Sequence, residues 1–167
     1  MMLKKRIIFS LFYDNGFFNQ SRNFRLQKVG DIDWLEKNYK FRKIAFSIDE
    51  LIILNVSRNL KNIITFSKTL ERIVDCVFIP IAAGGGISSL EDAKQLFDSG
   101  ADKLVLNSIL FNKPNIVEKI IKKYGSQSVI ASIDYKTIEH KNIVFANNGR
   151  DKVDFSFTQS INHVQNL

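Results

Sequence analysis

Three consecutive glycines, Gly84–Gly85–Gly86, stand just ahead of Ser88 and Ser89 at the start of an amphipathic stretch. Glycines there let backbone N–H groups approach an anion closely, and a helix N-terminus adds partial positive charge. Asn107 ends a neighbouring apolar run and offers an amide donor, so Gly84, Gly85, Gly86 and Asn107 together suggest a phosphate cradle. A tight strand–helix turn that binds nothing is the bland alternative. Asp134 closes another apolar run, an expensive place for a carboxylate without a task or a partner. It is a candidate general acid/base, set against a helix-capping or ion-paired Asp. Arg6, Glu50 and Lys103 stand at the opposite ends of their runs. Three charges placed there need one another, because isolated buried charges are costly; they form either a stabilising ion-pair plug or a gate. Neither His140 nor His163 ends a strand, and Cys76 lies away from the glycines, so neither histidine nor cysteine chemistry is expected.

Positioning these groups requires repeated strand–helix units. Arg6–Tyr13, Glu50–Val56, Val77–Ala83, Leu104–Asn107 and Val129–Asp134 read as strands. Helices are predicted over Asp31–Phe46, with Asp31 as N-cap and Ile32, Leu35, Tyr39 and Ile44 as apolar anchors, and over Asn59–Val74. Two more run from Ser88 or Ser89 to Gly100 and from Pro114 to Gly125. Lys136–His140 and Asn142–Ala146 suggest a small hairpin with a second turn at Asn147–Asn148–Gly149, and a last helix begins at Thr158. Alternating strands and helices imply a parallel sheet, and continuously apolar strands imply burial on both faces. The glycines follow the third strand and not the first, and no G-x-x-x-x-G-K-[ST] loop is present, which favours a barrel over a dinucleotide-binding sheet. The fold expected is α/β, a (β/α)8 TIM barrel cut after about five units: strands two to five begin about 25–27 residues apart, so a full barrel needs roughly 80 residues more. Residues 1–167 are expected to form one incomplete domain, with strands one and five as unpaired edges.

Composition narrows the classes further. Of 167 residues, 24 are Lys or Arg and 17 Asp or Glu, giving +7. The basic residues are scattered and not interleaved with aromatics, which favours solvated lysines over a nucleic-acid surface. No apolar run reaches membrane-spanning length and no signal-peptide cleavage pattern follows Ile7–Tyr13. A single cysteine excludes a disulfide framework and a cysteine metal cluster, so a cytoplasmic protein without metal or other cofactor is expected.

The stretches KKRII (Lys4–Ile8), Gly30–Asp31, DELIIL (Asp49–Leu54), AAGGGI (Ala82–Ile87), SGADKLVLNS (Ser99–Ser108) and YGSQSVIASIDYK (Tyr124–Lys136) resemble the cyclase subunit of imidazole glycerol phosphate synthase, a HisF-like barrel. The resemblance covers about the first two thirds of that family. It implies a substrate phosphate held by Gly84, Gly85, Gly86 and Asn107, and catalysis by Asp134. It implies an ammonia gate at Arg6, Glu50 and Lys103, fed by a docked glutaminase that Asp102 faces. The sequence also departs from the family pattern. The strand-one catalytic Asp of the C-L-D-V-K-D-G pattern is Phe12 in SLFYDNG (Ser10–Gly16), a substrate-gripping loop Lys is Gln20, and the strand-two Asp is Asn55. These departures resemble the paralogues of surface-polysaccharide clusters, which implies ammonia-dependent amidation of a phosphorylated or nucleotide-linked sugar. The histidine-pathway cyclase is the alternative, and a non-catalytic glutaminase-binding fragment is a third.

Overall fold

The computed structural model describes residues 5–22, 25–40, 43, 46–59 and 61–167. Five parallel strands form its centre: β1 (Ile8–Asp14), β4 (Glu50–Asn55), β5 (Ile81–Gly84), β6 (Lys103–Leu106) and β7 (Val129–Ala131). They lie side by side in chain order, and β2 (Phe17–Arg22) and β3 (Arg25–Gly30) extend the sheet antiparallel beyond β1. The connecting helices are α1 (Ile32–Tyr39), α2 (Ile63–Val74), α3 (Leu90–Asp98), α4 (Ser108–Asn112) and α5 (Pro114–Tyr124). A second sheet of β8 (Asp134–Ile138), β9 (Lys141–Ala146) and β10 (Asp151–Ser156) leads into α6 (Phe157–Gln165). This is the mixed α/β architecture of part of a (β/α)8 barrel. Among the described residues no helix is long and apolar enough to cross a membrane.

Side-chain alternation assigns the two faces of the parallel sheet. Leu11, Tyr13, Leu51, Ile53, Ala83, Leu104 and Leu106 point toward the helices and are buried with Phe66, Leu70, Leu96, Val117 and Ile120. The other face carries Ser10 beside Ile52 beside Ala82 beside Lys103, and one layer higher Phe12 beside Leu54 beside Gly84 beside Val105. Caps match the sequence reading where a side-chain oxygen was available: Asp31 accepts from Trp34 N, Ser89 from Asp92 N, and Pro114 opens α5.

Several sequence expectations change. Strand one is not an open edge: the β2–β3 hairpin pairs with it at Phe12–Asp14. Of the five parallel strands only β7 is an edge, and β3 ends the sheet on the other side. Burial on both faces holds only in part: Ala82 and Val105 are buried on the inward face, but there Ile8 is 45% exposed and Ser10 is exposed too. The third parallel strand begins at Ile81 and not at Val77, because Pro80 has no N–H to give to a ladder, and Phe78 stands exposed. The first helix stops at Tyr39 with Lys40 in the left-handed region, and Ile44 lies outside the described residues. The hairpin expected at 136–149 is part of a three-stranded sheet that Asp134 opens.

An exposed inward face and a free β7 edge predict self-association of the 167-residue chain on its own. Sedimentation velocity across a concentration series should show growth in mass. A concentration-independent monomer with one sharp unfolding transition would contradict it.

Candidate functional site

The C-terminal ends of the parallel strands surround a cavity of about 550 Å³. Its lining includes Gly85, Gly86, Asn107, Ser108, Ser132 and Asp134, so groups far apart in sequence meet at one rim. Phe12, Leu54 and Val105 floor it with apolar surface, and Ser21 and Leu26 reach it from the β2–β3 hairpin.

The glycine turn is built from close approach. At Gly85 φ is +93°, and an added Cβ would collide with the Asn55 carbonyl; at Gly86 φ is +87°, and a Cβ would press into the stem of Lys61. Gly85→Ala is therefore expected to lower stability by about 1–3 kcal/mol and to weaken phosphate binding. Gly16→Ala, where φ is +89° but nothing lies within 4 Å, bears the backbone cost without moving the turn. Denaturant unfolding and a phosphate titration of both variants check this. Beside the turn, the N-terminus of α3 is already occupied by charge: Asp92 Oδ2 accepts from Ser88 N at 2.8 Å and Ser88 Oγ at 2.9 Å. An anion at the glycines thus depends on the turn's own amides more than on the helix end.

Asn107 leads from β6 into α4, and its Nδ2 donates to the Ser132 carbonyl at 2.9 Å, which leaves one amide hydrogen for another acceptor. Asp134 faces the same cavity from the first position of β8. Burial raises its pKa above the ordinary carboxylate value, and the positive charge of Lys61 partly offsets that rise.

Asn55 ends β4 at the rim and is only 2% exposed. Its Oδ1 accepts from Ser57 N at 3.1 Å, while Nδ2 is buried with no hydrogen-bond partner. The in-register neighbour on β1 is Tyr13, whose hydroxyl is buried and unpartnered as well.

At the other end of the strands Glu50 is 3% exposed and bridges two cations, Lys103 Nζ at 3.3 Å and Arg6 Nη1 at 3.4 Å. Lys103 and Glu50 both stand on the inward face. Asp102 is exposed beside them; its Oδ2 accepts from Ile81 N at 2.7 Å. Asp49 repeats this two strands earlier by accepting from Ile7 N at 2.8 Å. Phe46 and Phe78, 93% and 95% exposed, lie in the segments that enter β4 and β5 at this same end.

Sequence reasoning missed Arg58, Lys61, Asn147, Asn148 and Arg150, all of which line the cavity. The Asn147–Asn148–Gly149 turn was legible as a turn, since all three residues have positive φ. Its destination was not. Asn147 N donates to Ser108 Oγ at 2.8 Å, and Asn148 Nδ2 reaches the Val56 and Ser57 carbonyls at 3.5 Å. The turn thereby ties β9–β10 across two rim loops.

A parallel strand rim with a glycine turn, an amide and a half-buried carboxylate in one cavity is the arrangement of an α/β-barrel domain. More particularly, the chain belongs to the histidine biosynthesis protein family, whose sequence profile matches residues 27–167, and it is HisF-like. It is 48% identical over 166 residues to a Parasynechococcus marenigrum (strain WH8102) protein whose name assigns it provisionally as imidazole glycerol phosphate synthase subunit hisF2. That match covers 99% of this chain and 62% of the relative. The HisF subunit of imidazole glycerol phosphate synthase from Chlorobium phaeovibrioides (strain DSM 265 / 1930) is 35% identical over 167 residues, covering 99% and 65%. The Phocaeicola vulgatus HisF subunit is 34% identical over 166 residues, covering 97% and 64%. The chain thus spans less than two thirds of the length of these relatives.

Proposed function

We propose that this chain supplies the anion-binding rim and the ammonia entry of a HisF-like synthase subunit working with a glutaminase. The observation that carries the reading is the shared cavity of Asp134, the glycine turn and Asn107, with Glu50 clasped by Arg6 and Lys103 at the far end of the same strands. In this reading the amides of Gly84–Gly86 and one Asn107 hydrogen hold a substrate phosphate. Asp134 exchanges protons at the reacting carbon–nitrogen centre, with a pKa moved toward neutrality. The Arg6–Glu50–Lys103 cluster passes ammonia inward. Asp102, Phe46 and Phe78 face the glutaminase, whose docking would bury two exposed aromatic rings.

The relatives' names favour imidazole glycerol phosphate formation over glycan amidation. One observation favours the second reading: Phe12 lines the cavity where the resemblance expects a catalytic carboxylate, and Asn55 is neutral. An aromatic ring there takes no proton, so ring closure would rest on Asp134 alone. Growth on medium lacking histidine separates the two. Rescue of a cyclase-null strain by the full-length protein carrying Phe12 supports imidazole formation. No rescue, together with glutamine-dependent amidation of a sugar phosphate or nucleotide sugar by the purified complex, supports amidation. Absence of any ammonia-dependent product contradicts both.

A further inference from the structure

Lys61 and Arg150 line the rim cavity, one from the loop after β4 and one from the turn before β10. The Lys61 stem lies against Gly86, which sets this residue next to the glycine turn. Its Nζ is bonded to a neutral oxygen, Asn148 Oδ1, at 3.3 Å. Arg150 Nη2 reaches the Arg58 carbonyl at 3.2 Å and Asn147 Oδ1 at 3.0 Å, and its Nε reaches the Asn147 carbonyl at 3.1 Å. Among the described residues, neither cation pairs with a carboxylate within salt-bridge distance. They also oppose each other: after burial, the charge of Arg150 is the next cause that lowers the Lys61 pKa, and the charge of Asp134 acts the other way.

Of these two like charges lining one cavity, Lys61 is half-buried and Arg150 is exposed, and an anion between them relieves their repulsion. A single phosphate on the turn amides and Asn107 leaves most of their hydrogen-bonding capacity unused, since Lys61 has three donors and Arg150 five. We propose that Lys61 and Arg150 form a second phosphoryl subsite adjoining the glycine turn, so that this cavity takes a diphosphate group. The inference rests on the reading of the glycine turn as an anion site and names the substrate class that site prefers.

Calorimetric titration of the full chain with inorganic phosphate and with pyrophosphate tests this. Pyrophosphate is expected to bind about tenfold or more tightly than phosphate, through charge-assisted bonds that a single phosphate does not make. Lys61→Met and Arg150→Met should each erase most of that preference, and Lys61→Arg should keep it. Thermal unfolding of each variant confirms that it is folded. Equal affinities in the wild type, or a preference that survives the Lys61→Met/Arg150→Met double substitution, overturns the diphosphate subsite while the glycine-turn reading stands. If neither anion binds the wild type, the underlying reading falls and the subsite with it.

Discussion

Asp134→Asn is expected to lower ammonia-dependent turnover by about 10²–10⁴-fold, the range lost with a positioned acid–base group. Stability should not fall with it. Burial raises the Asp134 pKa, so the folded state holds that proton more tightly than the unfolded chain does. Ionisation therefore costs stability as pH rises from the unfolded value of 3.8 through the raised folded value, and that cost is fully present above the folded value. The amide removes it, so the melting temperature at pH 7 should equal or exceed that of the wild type. The pH–rate profile gives a second readout. Lys61 lowers the Asp134 pKa by charge attraction, so Lys61→Met should move the acidic limb to higher pH. A variant with wild-type turnover would remove Asp134 from catalysis. A variant that loses both activity and stability would make it a structural group instead.

The second large effect is expected at the opposite end of the strands. Lys103→Ala removes one of the two cations on a nearly fully buried Glu50, and Arg6, the other, is largely solvent-exposed. If the cluster conducts ammonia, glutamine-driven product formation should fall by about tenfold or more while activity with free ammonium salts stays within about threefold, the signature of lost transfer with intact chemistry. Equal losses with both nitrogen sources would leave a stabilising ion pair and no gate. Glu50→Gln adds a control, since it keeps the shape while removing the charge that holds both cations.

What the sequence disclosed followed the strength of local signals. The parallel strands were readable because runs such as Glu50–Asn55 and Lys103–Leu106 are apolar and bounded by capping residues and glycines. Arg6, Glu50 and Lys103 were grouped by their shared place at the starts of those runs and by their charges, and in the structure Glu50 bridges the other two. The β2–β3 hairpin was not readable: its first strand, FFNQSR, buries a single residue, Phe18, and ends in four polar ones, so no alternation marks it. Strand β10 is equally polar and pairs with β9 through a register shift. Val77–Ile79 misled in the other direction, because an apolar run before a proline signals burial, yet here it exposes Phe78 at the end where a partner is expected.

In the site, residue type located Gly84–Gly86, Asn107 and Asp134, since glycines and polar strand ends are anomalous in apolar runs. Lys61 and Arg150 carried no such anomaly. They are two of 24 basic residues, and only the fold of the 147–150 turn over the rim brings them together. The charge excess read from composition as solvated lysines is thus partly a property of the cavity.

The most direct test of the account is a nitrogen–proton correlation spectrum of the full chain titrated with inorganic phosphate. The backbone amides of Gly85 and Gly86 and the side-chain amide of Asn107 should shift together and saturate with one affinity, and Asn107→Ala should weaken that affinity. Saturating shifts confined to another surface, with the glycine turn silent, would contradict the claim that the rim beside Asp134 is where substrate is held.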